Sequence, residues 1–200
     1  MDLFSGTGSW RKEMTKKGWN VYSLDINPKA FEVDEIINIL DYIPDKNKKF
    51  DVIIASPPCT QYSKAKTRGI RDLELADSIV SKVLEIIDFY NPKYYLIENP
   101  QTGLLPKRPI LKHLPYVDCD YCRYGYSYRK RTRFWTNIPL SLQLCEKMCG
   151  SIKDGKHIGS CGNGRSKYTD KVYSINDKYS IPPKLIRKVI ETIKPLIKSN

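Results

Sequence analysis

The sequence predicts an α/β fold: an open sheet with helices on both faces, plus a small cysteine-containing insertion towards the C-terminal end. Three observations carry this. Short β-branched runs alternate with stretches of helical periodicity, the pattern of strands joined by crossover helices. A glycine-rich turn, Ser5-Gly6-Thr7-Gly8-Ser9, precedes the first helical stretch and is followed by Asp25, roughly 20 residues on, as in nucleotide-binding βαβ units. Finally, Ser56-Pro57-Pro58-Cys59-Thr60-Gln61-Tyr62-Ser63 follows directly on the buried-strand signal Phe50–Ala55, where open α/β sheets place their ligands.

Taken in order, Asp2-Leu3-Phe4 is the end of a first strand. A central strand normally runs about five residues, so either this one is curtailed or the true start lies upstream. Trp10–Lys17 has helical spacing and stops at Gly18. Asn20–Leu24 is a second strand, and Asp25 at its end completes a unit suited to an adenosine-bearing cofactor. There the glycines admit a ligand close to the backbone, and the carboxylate accepts from ribose hydroxyls. Phe31–Asp34 is expected as a short third strand and Glu35–Tyr42 as a helical stretch.

The two prolines before Cys59 fix the backbone and remove two amide donors, so the loop is stiff where it presents the thiol. Thr60–Arg71 is polar and basic, the composition of a mobile loop. Asp72–Tyr90 is the clearest helix, with Leu73, Ala76, Ile79, Val80, Val83, Ile86 and Ile87 on one face. Tyr94–Ile97 is another buried strand, and it runs into Glu98-Asn99-Pro100, which directs Glu98 to the crevice of Cys59. Strands Val117–Tyr121 and Phe134–Thr136 flank Arg129-Lys130-Arg131-Thr132-Arg133, a basic run beside Tyr124, Tyr126, Tyr128, Phe134 and Trp135. The chain closes with Ile181-Pro182-Pro183 and a helix over Lys184–Ile197, with Leu185, Val189, Ile190 and Ile193 facing inward.

A chain of 200 residues builds one core with a small appendage. The organisation is a core over 1–136, an insertion over 137–179 that loses hydrophobic periodicity, and a C-terminal segment 180–200 that packs back. The net charge of +12 favours a polyanionic partner such as nucleic acid, with a merely lysine-rich surface as the alternative. No apolar run is long enough to span a membrane, and the opening Met1-Asp2-Leu3-Phe4 is no signal peptide. An intracellular, reducing setting follows. Six cysteines are too few and too uneven for a secreted disulfide scaffold: Cys59 stands alone, and the rest lie between Cys119 and Cys161.

Together these pieces resemble a DNA cytosine-5 methyltransferase, particularly the short phage- and large-DNA-virus-type members. Asp2–Gly8 looks like the first family motif, Asp25 the acid of the second, Pro57-Pro58-Cys59 with Gln61 and Ser63 the catalytic loop, and Glu98-Asn99 the Glu-Asn motif. Gly125–Arg133 is similar to the basic motif, and Ile181-Pro182-Pro183-Lys184-Leu185 to the C-terminal one. The resemblance implies a Rossmann-like class I sheet dependent on S-adenosylmethionine, acting on DNA. Cys59 is then the nucleophile that adds to carbon 6 of a cytosine turned out of the stack, making carbon 5 able to take a methyl group. Glu98 would bond the ring N3 and exocyclic amine. Either Lys130 or Arg131 is the key cation, and the basic run would lower the thiol pKa and hold the target phosphate. Phe4 would pack on adenine, with Gly6, Gly8 and Pro57 lining the cofactor site, Asp25 on the ribose, and Asp34 on the adenine amine with Asp41 as its rival.

The chain departs from the family pattern twice. Tyr128 stands at the usual glutamine of the basic motif, and Lys178-Tyr179-Ser180 stands where Gly-Asn usually precedes the last motif. The region that reads DNA is short, which leaves low specificity or a helper subunit beside an otherwise monomeric protein. Within it Cys145, Cys149, His157 and Cys161 suit a tetrahedral Cys3His zinc site. Cys119 and Cys122 are competing ligands, expected in a strand, and unpaired thiols are the plain alternative. An amino-methyltransferase would carry an aromatic residue at the place of Cys59. An RNA substrate and an inactive nucleic-acid-binding scaffold remain open.

Overall fold

Val52–Ala55 is β4, the centre of a seven-stranded sheet in a computed structural model that describes residues 1–161 and 166–198. The other strands are β1 (Asp2–Leu3), β2 (Ser23–Asp25), β3 (Glu35–Ile36), β5 (Tyr94–Pro100), β6 (Tyr116–Asp120) and β7 (Arg131–Thr136). They lie in the order β3-β2-β1-β4-β5-β7-β6. All neighbours are parallel except β7, which runs antiparallel to both β5 and β6. The chain direction across the sheet reverses between β1 and β4, so the turn after β1 and the loop after β4 open side by side onto one crevice.

Alternation along each strand divides the interior in two. Ile53, Ala55, Ile97 and Trp135 face α2 (Leu73–Tyr90), packing with Ala76, Val80, Val83 and Ile86. Val52, Ile54, Leu96 and Phe134 face the opposite way, onto α1 (Ser9–Thr15) and α4 (Pro183–Lys198), through Trp10, Met14, Leu185, Val189 and Ile193. Helices therefore cover both faces, as the apolar stripes of the two long segments require. Asp72 caps α2 by accepting from the Leu75 amide at 2.9 Å, and Asn91 ends it in the left-handed region, φ 42°.

The third strand forms later than expected. Phe31–Asp34 is not a strand, because the Asp34 carboxylate is drawn to the Ser23 amide at 2.8 Å and to the Arg11 guanidinium. The chain enters the sheet at Glu35–Ile36 instead, and the expected helix over Glu35–Tyr42 shrinks to a 3₁₀ turn at Ile39–Asp41. At the other edge β7 begins at Arg131, not Phe134. Register explains this: Arg131 sits opposite Asp120 and Arg133 opposite Asp118, and ion pairs at 3.0 and 2.7 Å extend the ladder through the basic run. Beyond β7 come a small hairpin, β8 (Ile152–Lys153) and β9 (Lys156–His157), and the short helix α3 (Ile175–Tyr179).

Candidate active site

The glycine-rich turn is built around Asp25. Its Oδ2 accepts from the Gly6 amide at 2.8 Å and its Oδ1 from the Asn27 amide at 2.8 Å. Phe4 takes a left-handed φ of 65° and Gly6 one of 50°, so the chain doubles back and its amides face the crevice. Two cavities adjoin here. One, of about 310 Å³, is lined by Phe4, Gly6, Trp10, Asp25, Pro57 and Cys59 among others. The second, of about 260 Å³ and mostly apolar, lies among Phe4, Asp25, Ile26, Ile37, Asn38 and Ile39. Phe4, Asp25 and Pro58 line both.

Two of the residues expected here lie elsewhere. Gly8 does not line either cavity: it precedes α1 at φ 67°, and a Cβ there would meet the Phe31 ring at 2.4 Å, so packing requires the glycine. Asp34 is spent on Arg11 and Ser23, and this buffered contact holds its carboxyl below the usual range despite the opposing effect of burial. Its rival Asp41 is exposed at the end of the 3₁₀ turn and lines neither cavity. Asn38, just past β3, lines the second cavity and caps the 3₁₀ turn through the Leu40 amide at 3.2 Å. The cue in the sequence was the apolar run around it, Ile36-Ile37-Asn38-Ile39.

Across the first cavity, Cys59 meets residues from β5 and the start of β7. Glu98 is 7 % exposed and accepts from the Tyr121 hydroxyl at 3.1 Å. Lys130 Nζ stands 3.8 Å from the same Glu98 oxygen and donates to the Lys178 carbonyl at 3.1 Å. Cys59, Glu98, Lys130 and Tyr179 all line this cavity. Arg131 does not: it points to the other side of the ribbon, where Asp120 receives both it and Arg129. Burial pushes the Cys59 thiol up and Glu98 adds to this, while Lys130 alone among the basic residues pulls it down. The basic run thus acts on the thiol in the expected direction through Lys130, but burial and Glu98 outweigh it.

The loop is fastened on both sides. Asn99 Nδ2 donates to the Pro57 carbonyl at 2.9 Å. The Tyr62 amide donates to the Cys59 carbonyl at 3.0 Å, and the buried Tyr62 hydroxyl donates to Asp77 at 2.8 Å. Thr60–Arg71, expected to be mobile, wraps around Arg71, whose guanidinium donates to the carbonyls of Gln61 and Ser63 at 2.8 Å and Lys66 at 2.7 Å.

The predicted metal ligands are partly brought together. Cys145, Cys149 and His157 converge, and Cys145 Sγ lies 3.2 Å from His157 Nε2. The fourth member is Cys122, on the 3₁₀ turn Tyr121–Tyr124 that follows β6, and not Cys161. Cys161 is exposed and its thiol donates to the Arg129 carbonyl at 3.3 Å. Among the described residues no helix is long and apolar enough to cross a membrane.

Residues 1–111 match the family model for C-5 cytosine-specific DNA methylases. A protein of frog virus 3 (isolate Goorha), named a probable DNA (cytosine-5)-methyltransferase, is 31% identical over 218 residues, spanning 96% of this chain and 98% of that protein. Among solved structures, a prophage-encoded E. coli protein described as a DNA modification methyltransferase superposes with a TM-score of 0.55 at 16% identity, over 70% of this chain and 48% of that one. A variant of Spodoptera frugiperda DNMT2 gives a TM-score of 0.52 at 19% identity, over 80% of this chain and 57% of the other. The chain thus spans about half the length of these two structures and shares their fold.

Proposed function

This chain belongs to the C-5 cytosine-specific DNA methylases, and on that premise we propose that it methylates carbon 5 of cytosine in DNA through a covalent adduct between Cys59 and carbon 6. The observation that carries this is the meeting of Cys59, Glu98 and Lys130 in one cavity, which shares Phe4 and Asp25 with a second, apolar one. S-adenosylmethionine fits the pair. The apolar cavity beside Phe4 suits a purine, and Asp25 suits ribose hydroxyls. Trp10 Nε1 and Ser56 Oγ are buried polar atoms on the first cavity's lining with no partner among the described residues, and the charged end of the cofactor would answer them. When bound, it supplies an electrophilic methyl group.

The protein's own part is to create and discharge an enamine. Cys59 gives its proton to water and the thiolate sulfur adds to carbon 6, the ring electrons moving onto N3. Glu98, held by Tyr121 and Lys130, would give N3 a proton and accept from the exocyclic amine as that charge develops. After carbon 5 is methylated, its proton passes to water, the electrons of that C–H bond form the C5–C6 double bond as the C–S bond breaks, and N3 returns its proton to Glu98, restoring the thiolate and the aromatic ring. Lys130 favours the thiolate at both ends of this cycle. The target base must leave the duplex to reach the cavity. Segment 137–179 would form a reduced base-reading region, its lysines meeting phosphates.

Trapping tests this. Duplexes of varied sequence carrying 5-fluorocytosine, incubated with the protein and S-adenosylmethionine, should yield an adduct that survives denaturation and is absent with Cys59→Ser. Cofactor binding without any DNA adduct would sink the reading and turn attention to RNA.

A further inference from the structure

Outside the candidate active site, one cluster joins four metal-binding side chains from distant parts of the chain. Cys122, Cys145, Cys149 and His157 bring one ligand atom each to within 4.8 Å of one another. With sulfur about 2.3 Å and nitrogen about 2.0–2.1 Å from zinc, tetrahedral ligand atoms stand roughly 3.5–3.8 Å apart. The 3.2 Å between Cys145 Sγ and His157 Nε2 already approaches such an edge, and a modest contraction closes the rest. We propose that these four residues hold a single structural zinc ion, and that Cys161 is no part of the site.

The backbone prepares the ligands. Cys145 and Cys149 have the short spacing of a metal-binding turn. Between them Glu146 and Lys147 adopt left-handed φ values of 38° and 62°, a costly conformation for residues with side chains. This folds the turn so that the Lys147 amide faces the Cys145 sulfur. His157 comes from β9, paired with β8 across Asp154 and Gly155, which turn at φ 49° and 71°. Cys122 is supplied by the core itself.

The segment's need for such a staple follows from its packing. Between Asn137 and Tyr179 the buried apolar side chains among the described residues are only Ile138, Cys145 and Tyr173. A stretch with so little core gains its order from metal binding. The consequence reaches the active site. The Cys145 amide donates to Asp120 at 2.9 Å, and Asp120 also anchors Arg129 and Arg131 on either side of Lys130. Zinc would therefore seat the insertion against the end of the β6–β7 ribbon that delivers Lys130 to Cys59. The chemistry also fits: three thiols and one imidazole in a closed tetrahedron select zinc over harder cations.

The test reads metal, not methyl transfer, so it stands apart from the proposed activity. The full chain, purified without chelator in a reducing buffer, is assayed for zinc by mass spectrometry. After stripping, it is titrated with cobalt(II) as a probe. One zinc per chain and the visible spectrum of tetrahedral cobalt–thiolate are expected. Cys149→Ser and Cys122→Ser should weaken cobalt binding by at least about 100-fold, more than losing a hydrogen-bond partner of a ligand costs, while Cys161→Ser binds as wild type. Circular dichroism checks each variant, and the wild-type titration stands if Cys122→Ser fails to fold. Wild type with no zinc and only octahedral cobalt would overturn the proposal. So would a Cys161→Ser variant that loses the metal, or a disulfide among Cys122, Cys145 and Cys149 in the reduced preparation.

Discussion

Ile53 and Leu144 are aliphatic side chains of the same size in very different settings. Ile53 is wholly buried at the centre of the sheet against α2, whereas Leu144 is 39% exposed immediately before the Cys145–Cys149 turn. The contrast extends to their surroundings. The sheet is held by two apolar layers that alternate along its strands, and the charged residues of β7 pair with Asp118 and Asp120 of β6. The segment beyond Asn137 relies on polar devices. Ser174 and Asp177 form a reciprocal capping box at α3, the Tyr128 hydroxyl donates to the Asp177 carbonyl at 2.9 Å, and thiols and an imidazole cluster where a core would otherwise be. What this teaches is a division of labour. Burial fixes the position of the groups that meet at the crevice, and directional contacts attach the small segment beyond Asn137.

The sharpest way to test that division is to separate chemistry from stability. Cys59→Ser should slow methyl transfer by at least about 10⁴-fold, about 5.5 kcal/mol of barrier, with the urea midpoint unchanged, since a half-buried thiol on the loop contributes little to packing. A parallel loss of stability would show that the loop is part of the core's support. Next comes truncation on each side of the contrast. Ile53→Ala should cost about 3 kcal/mol in urea unfolding, and Leu144→Ala no more than about 0.5 kcal/mol. Similar costs would erase the distinction.

Lys130→Gln tests whether the ribbon's alternation places one cation on the thiol. The sign follows from the thiol itself. Burial and Glu98 raise the Cys59 pKa, so thiolate is scarce at neutral pH and both alkylation and kcat/KM should climb as pH rises through that value. Removing the Lys130 charge raises it further, so the rising limb moves to higher pH and the rate at neutral pH falls roughly 10- to 100-fold, somewhat less than losing a full transition-state donor. Arg131→Gln should leave the limb in place, because that guanidinium faces Asp120. An equal displacement with Arg131→Gln contradicts the assignment. Asp177→Ala should have a small and local effect. Loss of the capping box should cost about 1 kcal/mol, and hydrogen exchange should report it in 166–181 alone, leaving the sheet's protection untouched.

Much of the site was legible in the sequence because each residue follows directly on a strongly apolar run. Asp25, Cys59 and Glu98 all lie at or just past the ends of strands whose β-branched composition marks them, and the sheet delivers such ends to one crevice. The failures share a cause as well. Asp34 had an acid's chemistry near the right place, but Arg11, 23 residues earlier, captures it. Asn38 escaped notice because only the register of β3 brings it to the apolar cavity. The basic run concealed its own logic: its arginines pair with Asp118 and Asp120 of a neighbouring strand, a contact of sequence separation too large for local pattern to show.

By itself, then, the sequence determined the kind of fold, the order of its strands along the chain, and the cysteine and glutamate that meet in the candidate site, since all of these rest on local periodicity and on residues adjacent to it. Tertiary structure decided between candidates that local pattern left equal. The strand pleat turns Lys130 into the cavity and Arg131 away from it, because neighbouring residues of a strand face opposite sides. The folding of Tyr121–Tyr124 as a 3₁₀ turn after β6 carries Cys122 to thiols 23 and 27 residues further on, while Cys161, closer to them in sequence, points to a backbone carbonyl. Proximity along the chain sets what is possible within one element. Which of two plausible side chains meets a third depends on register and on how elements cross, and those are properties of the packed whole.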